Sequence, residues 1–198
     1  MTRLVIMGPQ GSGKGTQASR VAKALGIPTI STGDIFRANI AGQTELGQLA
    51  QSYTDRGELV PDEVTNRMVR DRLDQSDTAV GFLLDGYPRN AAQVVELDGI
   101  LAEKNLALDG VIELDVPTEE LLERLGKRAE SEGRADDTVE AIRRRLAVYH
   151  EQTAPLAQAY AARGIHVKVV GSGDLDAITA SVLEAVASLT NQDSTAGQ

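Results

Sequence analysis

The chain has 198 residues, which predicts one compact domain with small insertions at about 150 residues per domain, burying roughly 70% of its unfolded surface without a disulfide or metal staple. Apolar residues at 41% and charged residues at 25% give a soluble globular balance; with no apolar run of about 18 residues and no charged-then-apolar leader, neither a membrane span nor a secretion signal is expected. The absence of cysteine excludes zinc ribbons, thiol catalysis and disulfide frameworks, the isolated His150 and His166 cannot build a histidine-rich metal site, and a net charge of −9 excludes a broad grip on nucleic acid or anionic lipid. Of the 20 basic residues, 15 are Arg and only 5 Lys, and Arg is the residue suited to bidentate capture of phosphate.

In chain order, the first apolar run, Leu4 to Met7, reads as a strand and leads into Gly8-Pro9-Gln10-Gly11-Ser12-Gly13-Lys14-Gly15-Thr16, after which Val21 and Leu25 mark a helix. Glycines let successive backbone N–H groups turn inward around an anion, the helix N-terminus adds partial positive charge, and the lysine reaches outer phosphates. From this chain's Gly and Lys content, roughly 0.04 chance matches to the Gly-x4-Gly-Lys spacing are expected. Where the common form of this loop has Ser or Thr, this sequence has Gly15, and the hydroxyl follows one residue later at Thr16. A plain tight turn does not account for Lys14. A dinucleotide-binding turn, loosely imitated by Gly11, Gly13 and Asp34, is disfavoured because Asp34 lies past the next strand, in a turn.

That second strand, around Thr29 and Ile30, ends at Ser31-Thr32-Gly33-Asp34. The stretch from Ile35 to Ser76 is too long for one crossover, and Gly42, Gly57 and Val60-Pro61 divide it into about three helices, the last carrying Val64, Met68 and Leu73; it reads as an inserted helical subdomain. A third strand at Phe82 to Leu84 ends in Asp85-Gly86-Tyr87-Pro88, a fourth at Val111 to Leu114 ends before Val116-Pro117, and a fifth at His166 to Val170 ends in Gly171-Ser172-Gly173. Strands alternating with helices predict a parallel sheet covered on both faces, with ligands at the carboxyl ends of the strands. Residues 129 to 137, AESEGRADD, read as a polar loop before a capping box at Asp137 to Glu140, and the final NQDSTAGQ, 191–198, as a disordered tail. Val139, Ile142, Leu146 and Tyr149 form an apolar stripe; Arg145 lies about 60° from Ile142 and Arg144 about 160°, so Arg145 can face a cleft while Arg144 faces solvent.

These motifs resemble the adenylate kinase family, within the nucleoside monophosphate kinases, over essentially residues 1 to 190. The resemblance rests on GPQGSGKGTQ from Gly8, STGDIFR from Ser31, GELVPDE from Gly57, LLDGYPRNAAQ from Leu83, GRADD from Gly133 and RRRL from Arg143. It implies an α/β P-loop fold of three layers on a five-stranded parallel sheet. The core would span 1–30, 61–128 and 136–190, with a nucleoside-monophosphate-binding insertion at 31–60 and a short lid at 129–135, Arg128 and Arg134 having five residues between them. It further implies reversible, Mg2+-dependent phosphoryl transfer from ATP to AMP giving two ADP, in a cytoplasmic monomer with no zinc and no nucleic-acid or membrane partner.

By the same resemblance Lys14 contacts the β and γ phosphates, and Gly11, Ser12, Gly13, Gly15 and Thr16 cradle the ATP phosphates. Arg124 packs on the ATP adenine, Arg128 reaches ATP phosphates, and a backbone group near Gly173 touches the ATP base. Arg37 and Arg89 hold the AMP phosphate, with Gly86, Tyr87 and Pro88 in the same segment, while Arg134 and Arg145 close over the transferring group. Thr32, Gln93 and backbone groups of Glu58, Leu59 and Val60 read adenine; relatives taking UMP or CMP carry Ala and Asn at the first two. Asp85 orients magnesium through water, Asp136 and Asp137 orient lid arginines, and Tyr87 and Asn90 stand where Phe and Thr are usual. Two other readings stay open: a UMP/CMP-type kinase, and a non-catalytic ATP-binding regulatory protein. The paired Arg37 and Arg89 weigh against the second.

Overall fold

The computed structural model describes residues 1–132 and 139–192, the side chains of 128–132, 191 and 192 excepted. Five strands, β1 (Thr2–Met7), β2 (Thr29–Ser31), β3 (Gly81–Asp85), β4 (Gly110–Asp115) and β5 (His166–Val170), form one parallel sheet in the order β2-β3-β1-β4-β5. Each expected strand is present, the first four lengthened at their ends. The central β1 is buried on both faces, as a doubly covered parallel strand must be. Its side chains alternate: Val5 and Met7 join the cluster with Val69, Leu97 and Tyr160, while Leu4 and Ile6 join the one with Val21, Ile178 and Val182. Each such fully buried side chain stabilises the fold by about 1.5–3 kcal/mol.

Helices α1 (Lys14–Leu25), α2 (Thr32–Ala41), α3 (Glu45–Thr54) and α4 (Asp62–Leu73) follow the first two strands. Sequence chemistry sets their ends: Ser31 Oγ accepts the Asp34 N–H, Thr44 Oγ1 accepts the Gly47 N–H, and Gly26 closes α1 in the left-handed region at φ 67°. Helices α2 and α3 approach so closely that a Cβ on Gly47 would lie 2.1 Å from the Asn39 carbonyl oxygen. The inserted segment carries its own small core of Phe36, Ala50 and Val60, separate from the sheet clusters.

The second half contains α5 (Ala91–Glu103), α6 (Thr118–Glu132), α7 (Val139–Val148), α8 (Leu156–Ala162) and α9 (Leu175–Gln192). Helix α6 corrects the expected loop at 129–137, since residues 129–132 are helical; Ala129, Glu130 and Glu132 are good helix formers and the first breaker is Gly133. Residues 133–138, with the expected capping box at Asp137, the lid residue Arg134 and Asp136, lie outside the described residues. Helix α9 runs two residues into the stretch read as a tail, and 193–198 are likewise outside. Between α7 and α8, Tyr149–Thr153 form a single π turn, closed by the Ala154 N–H on the Tyr149 carbonyl at 2.8 Å.

Candidate active site

The helices following β1 and β3, adjacent strands, pack on opposite faces of the sheet. That reversal opens a crevice at their carboxyl ends. A cavity of about 850 Å³ lies there, lined by the glycine-rich loop, the start of α2, the 57–60 segment, the 85–89 turn, Gln93, Arg124 and Arg145. Of the expected catalytic, nucleotide-binding and metal residues whose side chains are described, Ser12 and Gly173 are not in its lining; the Arg128 side chain lies outside the described residues.

The loop after β1 is shaped by glycines at positive φ: Gly11 at 86° and Gly13, the residue preceding α1, at 88°. A Cβ on Gly11 would lie 2.9 Å from Leu125 Cγ, so the loop is pressed against α6. Lys14 folds back over it, Nζ donating to the Pro9 carbonyl at 2.9 Å. The Ser12 hydroxyl is buried with no protein partner, an uncompensated polar group inside the turn. Arg124 joins this loop to the one after β5: Nη2 donates to Gly171 O at 2.9 Å and Nη1 to Ser12 O at 3.4 Å, while Glu120 pairs with Nη2. The Ser172 hydroxyl and then Arg124 hold the Glu120 carboxyl below the usual range. Gly173 lies two residues past this anchor.

Across the cavity, Arg89 is gripped on all sides. Nε donates to Gly86 O at 2.7 Å, the backbone N–H to Gln93 Oε1 at 2.7 Å, and the backbone carbonyl accepts from Thr153 Oγ1 at 2.7 Å. Burial lowers the Arg89 guanidinium pKa from its ordinary value; the nearby Asp85 carboxylate opposes the fall, and Arg145 and Arg37 add to it. Gly86 has φ 82°, and a Cβ there would sit 2.8 Å from Thr32 Oγ1 and 3.1 Å from Arg89 Nη2. The Thr32 hydroxyl spends its proton on Gly86 O at 3.0 Å, leaving lone pairs to accept. Arg37 pairs with Asp34 at the mouth. Arg145 reaches across the cavity, Nη2 donating to Thr54 O at 3.1 Å, whereas the Arg144 side chain is 54% exposed and pairs with Glu58 at 3.4 Å. Three positive side chains thus converge on one wall. Away from the cavity lining, Arg3 pairs with Asp109, Arg70 with Glu96 and Glu103, and Arg163 with Asp98.

Asp85, at the end of β3, is buried, with Oδ2 3.6 Å from where a Cβ on Gly15 would lie. The glycine keeps the space between this carboxylate and the lysine loop open. No three His, Cys, Asp or Glu groups meet among the described residues, so Asp85 fits a cation that brings most of its ligands with it. The Tyr87 hydroxyl, where Phe was the usual residue, donates to Asn66 Oδ1 at 2.8 Å. Sequence reasoning gave no role to Asp62, although it falls within GELVPDE, nor to Thr65, Asn66 and Thr153; Thr65 lines the cavity, and Asp62, Asn66 and Thr153 reach the site through contacts distant in sequence. His166 pairs with Glu113 at 3.0 Å, away from the cavity lining.

A glycine–lysine loop facing an arginine wall across one cavity, at the switch point of a parallel sheet, defines a P-loop nucleotide phosphotransferase. The sequence model of the family described as adenylate kinase matches residues 6–165. Adenylate kinase of Micrococcus luteus is 58% identical over 189 residues, covering 96% of this chain and 92% of that protein. Those of Kocuria rhizophila and Bifidobacterium longum are each 58% identical, over 186 and 181 residues, covering 94% and 91% of this chain and 99% and 97% of theirs. The chain belongs to the adenylate kinase family.

Proposed function

We propose that this cleft transfers the terminal phosphoryl group of ATP, carried as its Mg2+ complex, to AMP, reversibly giving two ADP. The observation that carries the reading is that the lysine loop and the Arg37, Arg89 and Arg145 wall face one cavity, a donor and an acceptor phosphate site within reach of each other. Lys14 and the backbone from Gly11 to Thr16 take the ATP phosphates, Arg124 its adenine end, and Arg37 and Arg89 the AMP phosphate. Thr32, Gln93 and the backbone of Glu58 to Val60 take the AMP base. Arg128 and Arg134 complete the ATP and lid contacts. The attacking phosphate oxygen is already largely ionised at pH 7, since phosphate monoesters have a second pKa near about 6. No general base is needed, and rate comes from in-line alignment and charge neutralisation by positioned cations. Asp85 would hold the metal through water, and the bound metal would supply charge neutralisation for the phosphates.

The insertion at 31–60 and the lid at 129–135 are the segments that close on the substrates. Closure matters because water competes as acceptor for the γ-phosphoryl group, and arginines carried on closing segments complete the site only when both nucleotides are bound. The reading includes a cytoplasmic monomer in adenine nucleotide homeostasis; size-exclusion chromatography tests the monomer. The names of the relatives favour AMP over UMP or CMP as acceptor. The test is phosphate acceptance from MgATP by AMP, UMP, CMP and GMP in parallel: AMP is expected to lead, a pyrimidine preference would overturn the substrate, and ATP binding without any acceptor would overturn the enzyme reading.

A further inference from the structure

The Gln93 carboxamide is held at both ends. Its Oε1 accepts the Arg89 backbone N–H at 2.7 Å and its Nε2 donates to Asp62 Oδ1 at 2.7 Å. Neither partner can exchange roles, because a backbone N–H only donates and an ionised carboxylate only accepts. Asp62 is itself fixed, each of its oxygens 3.0 Å from Asn90 Nδ2, and Asn90 is the N-cap of α5, its Oδ1 accepting the Gln93 N–H at 2.9 Å. Turning the carboxamide over would set its NH2 against the Arg89 N–H and its oxygen against the Asp62 carboxylate, two attractions becoming two repulsions. Gln93 is only 2% exposed, so solvent cannot relieve that.

Each end of the carboxamide keeps one more hydrogen-bonding valence, an N–H beside an oxygen lone pair, on a residue that lines the cavity. Adenine offers the matching order, its exocyclic amine as donor beside a ring-nitrogen acceptor. Hypoxanthine and guanine offer the reverse, a carbonyl acceptor beside a protonated ring nitrogen. A carboxamide free to turn over serves both; one that is locked serves one. We propose that Asp62, acting through Gln93, sets the choice of adenine over 6-oxopurine monophosphates, as a positioning residue that locks the carboxamide in its adenine-matching orientation. This rests on the reading of Gln93 as a side chain facing the AMP base.

The test compares AMP with inosine monophosphate, which differs from AMP at the 6-position and the adjacent ring proton, as acceptors for MgATP with the full chain and with Asp62→Asn. An asparagine can present either an oxygen or an amine to Gln93, releasing one end of the lock. The preference for AMP in kcat/KM is expected to fall by at least about tenfold. The change should lie in acceptor KM, with the KM for ATP unchanged. A merely structural role would lower both acceptors together. Should Asp62→Asn fail to fold by circular dichroism, Asn90→Ser decides, since serine keeps the helix cap while removing the amide that holds Asp62; its expected shift is about threefold in the same direction. An unchanged AMP preference in the folded variant overturns the lock and leaves the base reading standing. A parent protein that takes both acceptors equally overturns the base reading, and the lock with it.

Discussion

Thr153 donates its hydroxyl proton to the backbone carbonyl of Arg89 at 2.7 Å. The hydroxyl comes from the π turn, whose wider winding follows α7, the helix that carries Arg145. One short segment therefore ties the backbone of one cleft arginine to the helix bearing another. Thr153→Val keeps the shape and deletes the donor, leaving a buried carbonyl short of a partner. The expected cost is about 1–2 kcal/mol of stability in urea denaturation, with a raised KM for AMP and little change in KM for ATP.

Lys14 is the cation nearest the phosphate loop, and Arg89 the most enclosed cation of the opposite wall. Lys14→Met or Arg89→Ala should each lower turnover by at least about 10²-fold, since on the proposed reading each removes charge from beside the donor or the acceptor phosphates. Far-ultraviolet circular dichroism should report the fold of Lys14→Met unchanged. Near-normal turnover in either purified variant would contradict the roles given to them.

Neighbours in sequence separate in the next comparison. Arg145 reaches into the cleft and Arg144 lies on the solvent side with Glu58. Arg145→Ala is expected to reduce turnover by at least about 10²-fold, and Arg144→Ala by less than about threefold, as exposed ion pairs contribute about 0–1 kcal/mol. Steady-state rates of the two variants side by side decide it.

Alkaline stability follows from the tyrosines. Burial raises the Tyr87, Tyr149 and Tyr160 phenols above their ordinary value. A raised folded pKa means the native state keeps protons that the unfolded state has already released. Stability from these groups is therefore full below the unfolded value near about 10 and falls as pH rises through the window up to the folded values. Tyrosinate absorbance from the buried phenols should appear together with loss of helical dichroism, and its appearance well before unfolding would contradict their enclosure.

Much of this was legible in the sequence because the determinants are local. The lysine loop and the Asp85 to Pro88 segment each sit within a few residues of what they specify, whereas Thr32 to Asp34, expected as a turn, open α2 behind the Ser31 cap. Helical geometry separated Arg145 from Arg144 for the same reason. The four-residue misreading after Arg128 came from taking polar composition for a loop, when Ala129 to Glu132 propagate α6. Asp62 fell within GELVPDE with no role given to it and Thr153 had no motif; their partners lie 28 to 31 and 64 residues away. Asn90, met as a departure from the usual Thr, has a double use, capping α5 and holding Asp62, which requires the fold to be seen.

The separate core of the inserted helices has a consequence for amide hydrogen exchange. Phe36, Ala50 and Val60 form a cluster far smaller than those on the two sheet faces, so opening α2 and α3 exposes little apolar surface and leaves the sheet packed. Their backbone amides should exchange with solvent deuterium through sub-global openings, ahead of those in β1 and β3, which wait for global unfolding. The fold thus carries two levels of protection in one chain, with the lower level in the helices that border the arginine wall.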